Sequence, residues 1–139
     1  MNTLRATAPS ASEAFLLWIG RILAALVVVA LLADAGVNLL APHLMAGAMQ
    51  ETGFPVDLSP AIGTLALVAA LLYAIPRTQV LGAILVTGFL GGAICAHFRL
   101  GDMGSPPQIV SLLLGAAAWA SLVLRLPAMR GLLPWTTRA

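Results

Sequence analysis

The run Val80–Phe98 contains no Asp, Glu, Lys or Arg and is closed by Arg99. As an α-helix rising ~1.5 Å per residue it is about as long as the hydrocarbon core of a bilayer is thick. Three other stretches are nearly as apolar, at about 14–41, 61–75 and 108–126, the first carrying Arg21 and Asp34 and the last Arg125 near its end. The second reaches spanning length only with part of the loop before it. A chain with four such segments folds as an all-α, polytopic membrane protein, a four-helix transmembrane bundle whose first partner is the lipid bilayer. Composition excludes the soluble alternative: only 9% of the 139 residues are charged and 60% are hydrophobic, whereas soluble domains carry about 25% charged residues.

Several function classes are excluded in the same way. The formal charge of +2 is small and scattered, so no nucleic-acid partner is expected. The single cysteine, Cys95, cannot form an intramolecular disulfide or a multi-cysteine metal site. His43 and His97 are the two histidines and lack metal-ligand spacing, so no metal is expected. No serine is placed beside a base, and no glycine loop is built for phosphate.

Residues 1–13 read as a disordered cytoplasmic tail and residues 127–139 as a cytoplasmic C-terminal tail with Trp135. Ala33-Asp34-Ala35 has the shape of a signal-peptidase site, but the apolar stretch continues beyond it. In the longest loop, residues 42–59, Leu44–Gln50 has room for a turn or two of interfacial helix, broken at Gly53 and Pro55. Ser59-Pro60 and Ser105-Pro106-Pro107 read as helix starts. Tyr73, near the end of the second span, suits a headgroup anchor. Pro76–Gln79 is short enough to make spans two and three antiparallel neighbours.

Along the third span Gly88, Gly92, Cys95 and Arg99 fall on one helical stripe, with Gly91 beside it. Small residues at this spacing let a second backbone approach closely. Gly88, Gly91 and Gly92 are therefore candidate packing residues, as is Gly115, which shares a face of the fourth span with Ser111, Ala118 and Leu122. Self-association through Gly88 and Gly92 is expected unless packing within the chain consumes that face.

Asp34 and Asn38 are an i, i+4 pair in the outer part of span one. Acids inside spans are costly and mark interior or cavity positions. Arg99 and His97 close span three, at similar depth. Arg99 continues the glycine stripe and is expected to point into the bundle, with His97 about half a turn round. Asp34–Arg99, with Asn38 beside it, is then the expected internal contact, and His97 sits at the headgroups or a subunit contact. Two readings stay open. The contact is an ion pair that fixes helix register, or it is the polar head of a pocket for a lipid-soluble ligand. In the second, Asp34, Asn38, His97 and Arg99 are the candidate ligand-binding residues and a quinone is the candidate cofactor.

The segments Leu71-Leu72-Tyr73-Ala74-Ile75-Pro76-Arg77-Thr78, Leu81-Gly82-Ala83-Ile84-Leu85, Thr87-Gly88-Phe89-Leu90-Gly91-Gly92-Ala93 and His97-Phe98-Arg99-Leu100-Gly101-Asp102 resemble the DoxX-like family of small membrane proteins. Asp34-Ala35-Gly36 resembles it too. The resemblance covers about residues 18–133 and implies a four-helix bundle. Family roles are diverse, and include quinone-linked sulfur oxidation, membrane redox complexes and, in a distant animal relative, receptor assembly. The implied function is an accessory component of a membrane redox system without stand-alone catalysis. The alternative is an assembly partner for other membrane proteins, with a homo-oligomer or a redox protein as its partner. Gly63-Thr64-Leu65-Ala66 departs from the family pattern, which commonly carries an acid where Ala66 stands.

Loop charge sets the expected orientation. Four spans place both termini and the Pro76–Gln79 turn on one side, with Arg5, Arg77, Arg130 and Arg138, and with Arg21 and Arg125 at span ends. The other side has Arg99 against Glu51, Asp57 and Asp102. The positive-inside rule then puts both termini in the cytoplasm of a bacterial inner membrane. Reporter fusions at Ala139 and in the Pro76–Gln79 turn are expected to report cytoplasm, and a fusion within residues 42–59 the exterior; the opposite pattern refutes the assignment.

Overall fold

The computed structural model describes residues 10–131, so the expectations for residues 1–9 and 132–139 lie outside the described residues. Helix α1 spans Ala11–Leu40. It begins earlier than the apolar pattern suggested, because Ser10 and Glu13 form a capping box: the Glu13 N–H donates to Ser10 Oγ at 3.3 Å and the Ser10 N–H to Glu13 Oε2 at 2.8 Å. A 3₁₀ turn, Pro42–Met45, leads into the short α2, Ala46–Glu51. Gly53, at φ 69°, turns the chain into a second 3₁₀ turn, Val56–Leu58. Then come α3 (Ser59–Ala74), α4 (Gln79–Arg99), α5 (Pro106–Arg125) and the single turn α6 (Pro127–Arg130).

Four segments have the length and hydropathy to cross a membrane: Ala11–Leu40, Val56–Ala74, Gln79–Arg99 and Pro106–Arg125. The second reaches spanning length by recruiting the preceding 3₁₀ turn. The protein is a multi-pass membrane protein with an all-α fold. Its helices are apolar outside as well as inside. Val29, Leu65, Leu112 and Leu113 are each more than 60% exposed, which water would not tolerate at this density but hydrocarbon does.

The four long helices form a ring in which α1 packs against α3 and α5, and α4 packs against the same two. Helices α1 and α4 therefore occupy opposite corners. Val27, Leu31, Ala70, Tyr73, Val86 and Leu122 lie at the centre. Tyr73 is 1% exposed, and its hydroxyl lies 2.9 Å from the Ala118 carbonyl and 3.0 Å from Ser121 Oγ. It ties α3 to α5 across the interior and is not a headgroup anchor, because its side chain turns inward where acceptors are waiting.

Close helix contact is made at glycines other than those expected. A Cβ on Gly82 would fall on the Tyr73 backbone, so α3 and α4 touch main chain to main chain just past their connecting turn. A Cβ on Gly63 would lie 2.8 Å from Asn38 Cβ and 2.9 Å from Leu39 Cγ, and one on Gly20 2.8 Å from Arg125 Cγ. By contrast, Gly88, Gly91 and Gly92 would have nothing within 4 Å, and Gly115 would meet only Leu90 Cδ1, at an ordinary 3.9 Å. The stripe Gly88–Gly92–Cys95–Arg99 faces outward. Gly82→Ala should cost about 3 kcal/mol, the upper range for overpacking, since backbone cannot give way as a side chain can. Unfolding in detergent measures it; a midpoint equal to wild type would refute the contact.

Candidate functional site

The end of the bundle that carries α2 collects a layer of polar side chains. Asn38, 1% exposed, sits on α1 at the seam with α3. Its Nδ2 donates to the Asp34 carbonyl at 3.0 Å and to Asp34 Oδ1 at 3.3 Å. Ser59 Oγ donates to Asn38 Oδ1 at 2.8 Å, with the Asn38 carbonyl 3.2 Å away. Ser59 was expected as a helix cap; it lies inside α3 instead, and its hydroxyl joins two helices. Asp34 is half-buried, and its Oδ2 is fully enclosed without a hydrogen-bond partner.

Asp34 and Arg99 do not pair. Arg99 is exposed, and its Nη2 donates to the Thr52 carbonyl at 2.6 Å. Thr52 caps the C-terminus of α2, where carbonyls lack helical donors and the helix dipole favours a cation. The guanidinium carbon also lies 6.0 Å from the Phe54 ring centroid. Gly53 is fitted to this contact, since a Cβ there would come 2.9 Å from Arg99 Nη2. Two causes defeat the expected pair. Helices α1 and α4 are diagonal, and the glycine stripe that carries Arg99 points out. His97 consequently falls toward the interior side, with its side chain 17% exposed, and its Nδ1 lies 3.2 Å from Asp102 Oδ2.

The same end contains Gln108, which the sequence did not single out, and Ser105, which it marked as a helix start. Gln108, 7% exposed, accepts the Gly104 N–H at 2.7 Å and donates to the Ile94 carbonyl at 3.3 Å, bracing α5 on α4. Ser105 is buried at the start of α5, but its Oγ caps nothing and has no partner. The next two residues are prolines, which offer no N–H. The signal for Gln108 was a lone amide within an otherwise apolar span, costly in hydrocarbon without partners. Met49 of α2 is 5% exposed, so α2 is seated on the bundle as an outer cap. Among the described residues no group of three or more His, Cys, Asp or Glu could hold a metal ion.

A DoxX-like family model matches residues 22–121. The chain belongs to the DoxX-like family. The match runs from Ile22, two residues past Gly20, to Ser121 and covers most of the four-helix ring, including Asp34, Asn38, Arg99 and the glycine stripe. No curated protein and no solved structure matches the chain. Within this DoxX-like bundle Ala66, the departure from the family pattern, is fully buried on α3, three residues from Gly63. An acid there would sit against α1, where small residues let the helices meet.

The outward α4 face has its own relief. Gly88 lies in a groove of about 520 Å³ between α3 and α4, lined by Leu65, Val68, Ile84, Leu85, Gly88 and Phe89. The geometry thus divides into an enclosed polar layer on α1, α3 and α5, and an apolar, glycine-floored furrow on α3 and α4. Arg99→Gln should free the outer cap without unfolding the ring. Hydrogen exchange is expected to rise over residues 42–58 and stay unchanged in α3 and α4; unchanged exchange in the cap would show that Arg99 does not hold it.

Proposed function

We propose that this DoxX-like protein is a non-catalytic assembly component of a membrane redox system, and that its α4 face docks on the same face of a second copy. The observation that carries the docking is the outward stripe Gly88, Gly92 and Cys95. Each glycine inside a helix costs about 1 kcal/mol relative to alanine. Gly88, Gly91 and Gly92 gain no close contact within the chain in return, so the compensating contact belongs outside it. Gly88 and Gly92 are spaced i, i+4, the arrangement by which membrane helices pair through Cα–H and van der Waals contact. A two-fold dimer would bring this face of one copy against the same face of the other. The redox setting is supported by the family likeness alone. The location is the bacterial inner membrane with both termini cytoplasmic, supported by loop charge.

A ligand reading is favoured by one observation, the enclosed and unpartnered Asp34 Oδ2. The residues originally named for a quinone headgroup do not fit it as a pair, since Arg99 is spent on Thr52 and lies on the opposite corner of the ring. A quinone-like ligand would have to be held from Asp34 without Arg99. Solvent extraction of the gently purified protein tests it: a quinone lost on Asp34→Asn supports this reading, and no quinone in wild type refutes it.

Gly92→Leu and Gly88→Leu should leave the monomer fold intact, because each added side chain enters open space. They should weaken self-association at least ~10-fold, read by differently tagged copies in mixed micelles. Association that survives both substitutions refutes the docking face.

A further inference from the structure

Helix α1 is longer than the ring it belongs to. Its 30 residues rise ~45 Å, whereas the 20 residues of α5 rise ~30 Å, the thickness of a bilayer's hydrocarbon core. The surplus lies at one end. Gly20 packs against Ser121, Leu124 and Arg125 in the last turn of α5, so Gly20 stands level with the point where α5 stops. Residues 11–19 of α1 therefore continue past the hydrocarbon, on the side opposite the α2 cap. Arg21 and Arg77, both exposed, mark the same boundary from α1 and from the α3–α4 turn.

This overhang is not polar throughout. Phe15 is 65% and Trp18 63% exposed, and Leu16 is exposed beside them. Phe15 and Trp18 share a face, about one turn apart. Measured along the axis from Gly20, Trp18 lies ~3 Å beyond the hydrocarbon and Phe15 ~7 Å. The headgroup layer is roughly 5–7 Å deep on each side, so Trp18 falls inside it and Phe15 at its outer margin. The polar residues begin where that layer ends. Ser12 and Glu13 stand about 10–12 Å out, and the Ser10–Glu13 capping box starts the helix in water. Trp18 has no hydrogen-bond partner among the described residues, whereas Trp119 Nε1 is engaged by Thr87. An indole combines an apolar body with one N–H donor, which suits a layer where acyl chains meet ester and phosphate oxygens.

We propose that Phe15, Leu16 and Trp18 form a binding surface for the phospholipid headgroup layer, with the Trp18 N–H donating to ester or phosphate oxygens of the lipid. The surface sets the depth of α1 and, through the close contact at Gly20, the depth of α5. It fills the anchoring role that the sequence assigned to Tyr73, whose hydroxyl is bound in the core instead. Helices α1 and α4 occupy opposite corners, so an anchored α1 leaves the glycine face of α4 free to meet another helix.

The test places the full chain, alone, in phosphatidylcholine vesicles. With Trp119→Phe and Trp135→Phe, Trp18 is the remaining indole. Its fluorescence is quenched in turn by lipids brominated near the headgroup end of the acyl chain, by lipids brominated near the methyl end, and by acrylamide in the water. The expected result is stronger quenching from the headgroup-end bromine than from the methyl-end bromine. Equal or stronger quenching from the methyl-end bromine would put the face in hydrocarbon and overturn the proposal. Quenching by acrylamide with none from either lipid would leave the face to water or a protein partner, and overturn it too. If the Trp119→Phe background does not fold, fluorine NMR of fluorotryptophan-labelled wild type reads the same depths from spin-labelled lipids, the Trp18 line being assigned by its loss in Trp18→Phe. Amide exchange gives a second reading. Phe15→Ala combined with Trp18→Ala should raise exchange over residues 11–19 at least ~10-fold in vesicles and leave residues 20–40 unchanged. Equal exchange over residues 11–19 would show that lipid does not hold the overhang.

Discussion

Helices in hydrocarbon gain little by burying leucine against leucine, because lipid tails are as apolar as the side chains. A bundle in that solvent holds together where backbones come very close and where polar groups find partners that lipid cannot supply. Every seam of this ring has one or both. Gly63 and the Ser59–Asn38 bond join α3 to α1; Gly82 lays α4 on the Tyr73 backbone of α3; Gly20 admits Arg125 between α1 and α5. Trp119 Nε1 donates to Thr87 Oγ1 at 2.8 Å and Gln108 to the Ile94 carbonyl, joining α5 to α4 at two levels. Tyr73 spans the diagonal.

The same rule organises the two ends. At one end a helix terminus, the C-terminus of α2, receives the Arg99 guanidinium, so the cap is tied to the end of α4 by a charge-assisted bond to a carbonyl that helix geometry leaves unpaired. At the other, Arg125 is held by Ser121 along one edge only. One arginine reaches an exposed helix-end carbonyl and the other is folded back on its own helix with Nη2 enclosed, although both close a spanning helix.

Segment length and scarcity of charge made the four spans and the all-α fold legible from the sequence, and Gly53 correctly marked the end of the short helix in the longest loop. The direction in which α4 faces was not legible. A helical wheel gives relative angles, and in a soluble protein the apolar stripe tells which side is inside. In lipid both sides of α4 are apolar, and both carry small residues: Gly82 and Ala83 on one, Gly88 and Gly92 on the other. Choosing the wrong glycines as the interior ones turned the helix round, and with it exchanged the placements of Arg99 and His97. Asn38 could be read as a buried polar residue beside Asp34, but its partner Ser59 looked like a cap, because a serine before proline has the same appearance in either role. Gln108 was invisible for a related reason: its place depends on which helices are neighbours, and four antiparallel spans allow more than one ring order.

The central claim is that the glycine face of α4 lies outside the ring and meets its equal there. The chain's single cysteine, Cys95, is exposed on that face, so it reports the contact without any engineered probe. Oxidative cross-linking of the wild-type protein in native membranes should give a disulfide-linked dimer of the chain through Cys95, and little of it in Gly92→Leu. A Cys95 that reacts readily with a lipid-soluble maleimide yet yields no dimer would contradict the account; so would a Cys95 shielded from that reagent in the detergent-dispersed monomer, which would place the stripe back inside the bundle.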